Sequence, residues 1–142
     1  MDTTTYRSIT LPFLAPVALV NDDFRKQLKP YSRSITVTDQ VQRILWDELK
    51  CLEMMALARA TLIRKIRRFE FGPHHKRCAI RDYGTVDWLD GHRFDWKIRV
   101  FDPTGQHGAE DAADPDAIRD LMIGTRADGL LYVNPPKALR SA

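Results

Sequence analysis

The chain has 142 residues with 22 Lys and Arg against 19 Asp and Glu, a formal net charge of +3, and 44% apolar residues. This is the composition of one ordinary globular domain, and it excludes a disordered or collagen-like chain. The two cysteines, Cys51 and Cys78, have neither CxxC nor finger spacing, which excludes a disulfide framework and implies free thiols in a reducing compartment.

Residues 1–37 read as an N-terminal extension with one or two strands. Residues 1–5 read as disordered, and residues 6–11 alternate weakly as a strand. Residues 11–20 are the longest apolar run, and Pro12 and Pro16 forbid a central strand there. The run is too short to span a bilayer and lacks a basic flank and cleavage site, so no membrane association and a cytoplasmic location are expected. Asn21-Asp22-Asp23 reads as a turn or cap for a short helix over 24–29 ended by Pro30, and residues 31–37 alternate as a strand.

Residues 38–71 contain no Pro or Gly and read as one long helix. Thr38 or Asp39 serves as N-cap, Arg64, Lys65, Arg67 and Arg68 suit the negative C-terminal end, and Gly72-Pro73 stops it. At 3.6 residues per turn, Val41, Ile44, Leu45, Leu49, Leu52, Met55, Ala56, Leu62, Ile63 and Ile66 form the core-facing stripe. Glu48 and Arg59 interrupt that stripe and need partners, either at its rim and on the strands or in a polar functional centre. The opposite face carries Trp46, Leu57, Arg64 and Arg68, so either residues 11–20 or a partner must cover it.

Residues 77–101 read as a three-stranded meander, with strands over 77–83, 85–89 and 93–101 and a hairpin turn at Asp90-Gly91. The third strand sets Phe94, Trp96, Ile98 and Val100 on one face and Asp95, Lys97 and Arg99 on the other. An acidic loop follows over 102–113. Asp114-Pro115 reads as the start of a helix to Ile123 closed by Gly124, then a strand over 130–133 and an exposed tail over 134–142. The expected class is α+β, with one long central helix on a small, mostly antiparallel sheet and the order α-β-β-β-α-β after the extension.

Charge is unevenly spread. Between Arg59 and Arg81 there are eight Lys and Arg against Glu70, whereas between Asp102 and Asp128 there are seven acids against Arg119 and Arg126. A basic cluster attracts phosphates or an acidic protein surface, and an acidic stretch suits mimicry of a nucleic acid toward a basic partner. The leading expectation is therefore a non-catalytic cytosolic protein that docks on nucleic acid or on a protein of a nucleoprotein complex. Such a dipolar single domain would suit a phage- or mobile-element-encoded inhibitor of host nucleic-acid defence. Its expected binding residues are Trp46, Leu57, Arg64, Lys65, Arg67, Arg68, Lys76, Arg77 and Arg81, with no cofactor.

The alternative is an enzyme. Asp87 on one strand and Asp95-Trp96-Lys97 on its neighbour, with Glu48 on the preceding helix, resemble the PD-(D/E)xK nucleases, whose core shares the α-β-β-β-α-β order. The resemblance implies carboxylates binding Mg2+ and Lys97 positioning a water on a phosphodiester. Asp95 and Lys97, two apart on a strand, share a face, as such a site requires. The competing account of the same residues is a solvent-facing charged row paired across strands. His74-His75 with Cys78 gives no metal site, because adjacent histidines rarely chelate one ion and a fourth ligand is missing.

Overall fold

A four-stranded sheet organises the molecule. In the computed structural model the described residues are 15–132 apart from Lys76, Leu89 and Asp90. Strands β1 (Ile35–Val37), β2 (Tyr83–Trp88), β3 (His92–Phe101) and β4 (Ile118–Gly124) stand in the order β1-β4-β3-β2. The β2–β3 and β3–β4 pairs are antiparallel and β1–β4 is parallel, so the sheet is mixed and the class is α+β. Helices α1 (Pro16–Lys26), α2 (Asp39–Leu49) and α3 (Leu52–Arg67) accompany it.

The core follows from strand alternation. Phe94, Trp96 and Ile98 of β3 are buried beside Val86, Trp88, Leu121 and Ile123, under Val41 and Leu45 of α2 and Leu62, Ile63 and Ile66 of α3. Gly84 allows this packing, because a Cβ there would lie 2.7 Å from the Trp96 ring. Phe69 and Phe71 meet Trp96 edge-on, with ring centroids 5.4 and 6.0 Å away.

The single long helix expected over 38–71 is two helices. Lys50 closes α2 in the left-handed region at φ 52°, with its N–H on the Trp46 carbonyl, and Cys51 is extended at φ −154°. The reason is length: some thirty residues of straight helix would span about 45 Å, roughly twice the ~23 Å of a seven-residue strand such as β4. The break lets α2 pack on β4 and α3 on β2. It also takes Leu52 out of the expected core stripe, leaving it 76% exposed. Thr38 is the N-cap of α2, its hydroxyl accepting from the Val41 N–H.

Other expected elements are corrected too. Residues 114–123 are not a helix: 114–117 turn and β4 follows, with Arg119, Leu121 and Ile123 buried at alternate positions. The strand expected over 130–133 is a 3-10 turn, Leu130–Tyr132; Val133 and the tail lie outside the described residues. Over 77–82 there are turns, with Arg81 at φ 59°, so the meander reduces to the β2–β3 hairpin, Trp88 opposite His92. Gly91 takes φ 89° at that turn, and Asp90 lies outside the described residues. The strand expected over 31–37 shrinks to β1. The strand expected over 6–11 lies outside the described residues, while residues 16–20 open α1 because Pro16 occupies a first-turn position that needs no N–H donor.

Candidate functional site

Helix α1 is held by a polar face. Its buried residues Ala18, Asn21, Asp22 and Arg25 are spaced as one helical stripe. Arg25 is 1% exposed, and its Nη1 donates to the carbonyls of Ile66, Arg67 and Phe69 at 2.7, 3.1 and 3.2 Å. Those carbonyls belong to the last turn of α3 and the residues just beyond, where helix acceptors go unpaired. Arg25 Nη2 donates to Asp22 at 3.0 Å, and Arg81 donates to the other Asp22 oxygen at 2.5 Å. The same guanidinium lies 5.7 Å from both the Phe71 and Trp96 rings.

This plug sets the C-terminal end of α3 against the C-terminal end of α1. Arg67 Nε donates to the Lys26 carbonyl at 3.0 Å, and Lys26, Arg64, Arg67 and Arg68 line one cleft of about 340 Å3. The side chains of Arg64 and Arg68 make no hydrogen bond or ion pair among the described residues. A second cleft of about 310 Å3 adjoins it, also lined by Lys26, Arg67, Arg68 and Arg81. Concentrated, incompletely paired guanidinium groups are what an oxyanion such as phosphate engages.

Three of the expected binding residues, Arg64, Arg67 and Arg68, thus come together, joined by Lys26, which the sequence reading missed. The others are spread. Lys65 turns to the sheet edge and donates to the Asp87 carbonyl at 2.9 Å. Arg77 is held by both oxygens of Asp82 at 2.8 and 2.7 Å, and that bond raises its already high pKa. Arg81 is tied to Asp22, and Lys76 lies outside the described residues. Trp46 on α2 and Leu57 on α3 are 43% and 60% exposed, so among the described residues nothing buries them, residues 16–20 being part of α1 instead.

The four residues of the nuclease resemblance do not converge. Asp87, Asp95 and Lys97 share one face of the hairpin by register. Glu48 lies on the helix-covered side, 3.1 Å from His92, whose ring stacks with Phe94. Asp87 is exposed and paired with Arg93 at 2.9 Å, which holds its carboxyl below the usual range. Asp95 and Lys97 are buried, not solvent-facing: Tyr83 donates to Asp95 at 2.8 Å, and Lys97 donates to the Leu131 carbonyl at 3.0 Å. Burial lowers the Lys97 ammonium pKa. Burial and the Asp95 bond push the Tyr83 phenol up to about 12. Each group is committed to a neighbour, and among the described residues no cluster of three His, Cys, Asp or Glu could hold a metal ion.

Two acids of the acidic stretch, Asp120 and Asp128, are engaged internally. Asp120 takes a bidentate contact from Arg99 and a hydroxyl from Thr36 at 3.1 Å. Burial works to raise the Asp128 carboxyl, but bonds from Thr125 and Thr38 outweigh it and hold it below its ordinary value. Among the described residues no helix is long and apolar enough to cross a membrane.

No curated protein and no solved structure matches the chain. The model of a family described as "Protein of unknown function (DUF3768)" matches residues 37–123. That span covers α2, α3, β2 and β3 and nearly all of β4, and includes Arg64, Arg67 and Arg68 but not Lys26. With well over half of its residues inside the match, the chain belongs to the DUF3768 family.

Proposed function

We propose that this protein is a non-catalytic binding module that docks on a nucleic-acid phosphate backbone through the cationic cleft at the C-terminal end of α3. The observation that carries the reading is the cleft itself: four cations from α1 and the end of α3 share one concavity, and the side chains of three of them, Lys26, Arg64 and Arg68, have no partner among the described residues. Phosphate contact is sequence-independent and needs no reactive group, only fixed cations at the spacing of a charged strand. An inhibitory role follows from the same docking, since covering a stretch of backbone denies it to other proteins.

The test is fluorescence anisotropy with a labelled duplex and a labelled single strand. Binding on the order of 1–100 μM near physiological salt is expected, as for other backbone-dominated contacts. The triple variant Arg64→Glu/Arg67→Glu/Arg68→Glu should weaken it by about tenfold or more while circular dichroism shows the fold retained, with a somewhat lower melting midpoint because Arg67 loses its bond to the Lys26 carbonyl. Absence of binding by the wild-type protein even at low salt would overturn the nucleic-acid reading.

A further inference from the structure

The sequence left Arg59 without a partner on an otherwise apolar helix face, and the structure gives it almost none. Its Nη2 lies 3.4 Å from the Ser32 carbonyl, and its Nε is shut away from solvent with no acceptor among the described residues. Among the described residues no carboxylate pairs with it. It sits on the wall of a cleft of about 480 Å3, between the helices and β1, that is also lined by the buried Leu45 and by Met55 and Ala56.

Strand β1 forms the other wall, and among the described residues it is an edge of the sheet. Ser34 and Thr38 direct their backbone groups at β4, through Leu121 N–H to Ser34 O at 2.7 Å and Thr38 N–H to Ile123 O at 3.0 Å. By strand alternation the N–H and C=O of Ile35 and Val37 point away from the sheet. The outward Val37 carbonyl already draws the Gln42 side-chain amide to 3.0 Å. Edge strands are ordinarily blunted by shortness, Lys, Pro or a bulge; Ile35–Val37 is short, at three residues, but carries no Lys, Pro or bulge.

We infer that the β1 edge is a docking site for an extended peptide of a protein partner, which adds as a further strand, places alternate apolar side chains in the cleft and sets a carboxylate on Arg59. Backbone pairing supplies the register, and residues two apart on the added strand, about 6.6–6.8 Å, fall on the same side and enter the cleft together. Charge complementarity fixes the one polar position, because a guanidinium lacking an acid is best satisfied by a bidentate carboxylate. This surface is separate from the cationic cleft and stands whether or not that cleft binds nucleic acid.

The probe is a pool of random heptapeptides displayed on phage and selected on the full-length protein, followed by synthesis of the most enriched sequence. Alternating apolar residues with one Asp or Glu are expected. Binding should slow hydrogen exchange at the Ile35 and Val37 amides of the wild-type protein. Arg59→Gln should weaken the peptide about tenfold, the scale of one lost charge-assisted bond, and Arg59→Lys should weaken it less. The Arg64→Glu/Arg67→Glu/Arg68→Glu variant should bind it normally. No enrichment, enrichment without an acid, or exchange protection elsewhere overturns the inference. A concentration-dependent dimer with those two amides protected would give the edge to a second copy of the chain and overturn it as well.

Discussion

Replacing Arg25 with Met tests what positions the cationic cleft. The substitution keeps the length of the aliphatic stem and removes four hydrogen bonds, three to α3-end carbonyls and one to Asp22. Asp22 keeps Arg81, so the loss falls mainly on the carbonyls, acceptors beside a site that is 1% exposed. Leaving buried acceptors without their donor costs about 1–3 kcal/mol each, and with the Ile66 carbonyl still taking the Phe69 N–H the loss comes to about 3–5 kcal/mol. That is a large part of a total on the order of 5–15 kcal/mol. A melting midpoint lowered on the order of 10–20 °C follows for a chain of this size. Arg25→Lys should fall between, because an ammonium cannot reach the carbonyls and Asp22 in the same fork. Urea unfolding followed by circular dichroism gives the stability, and a loss below about 1 kcal/mol for Arg25→Met would refute the plug.

Three further perturbations read other parts of the structure. Lys50→Gly should stabilise by up to about 1 kcal/mol, since glycine takes φ 52° without strain, whereas in a continuous helix it would cost about 1 kcal/mol. Leu57→Ala should change stability by no more than about 0.5 kcal/mol, because Leu57 is 60% exposed; a loss of several kcal/mol would mean the face is covered. The Tyr83 phenol, raised to about 12 in the folded state, stabilises fully below its unfolded pKa of about 10, and that contribution is lost as pH rises through about 12. Tyr83→Phe should remove that alkaline slope, and an ultraviolet titration showing every tyrosine ionising near its ordinary value would contradict the bond to Asp95.

What the sequence made legible, and what it hid, divides along physical lines. Strand β3 was readable to within a residue because Phe94, Trp96, Ile98 and Val100 alternate with charges. Its charged face was misjudged, since Lys97 is held by the Leu131 carbonyl, distant in sequence, and Asp95 by the Tyr83 hydroxyl across the hairpin. Strand β4 was hidden by Arg119, a charge at an inward position, satisfied there by Asn21 at 3.0 Å and by the Ala112 and Asp114 carbonyls. Without those partners in view, Asp114-Pro115 read as a cap and first-turn proline of a helix that Gly124 would close. Helix α1 was expected too late, over 24–29 instead of Pro16–Lys26, for the same reason: hydrophobic periodicity cannot register a buried face made of Asn21, Asp22 and Arg25.

For the site, the run Arg64 to Arg68 was visible as charge, but which of its members act together depends on directions around the helix and on α1. Lys65 points to the sheet and Lys26 arrives from another element, so only the folded chain assembles the group. The break at Lys50 could not be read at all, since neither Lys50 nor Cys51 is a helix breaker and the cause is the extent of the sheet.

The salt dependence of nucleic-acid affinity tests the central claim most directly. If Lys26, Arg64, Arg67 and Arg68 each neutralise a phosphate, log K against log salt for a B-DNA duplex should have a slope of about −3.6, at about −0.9 per contact. Arg64→Glu/Arg67→Glu/Arg68→Glu should flatten it to about −0.9 or less. A wild-type slope near zero, or a steep slope that the triple variant leaves unchanged, would contradict the assignment of the cleft.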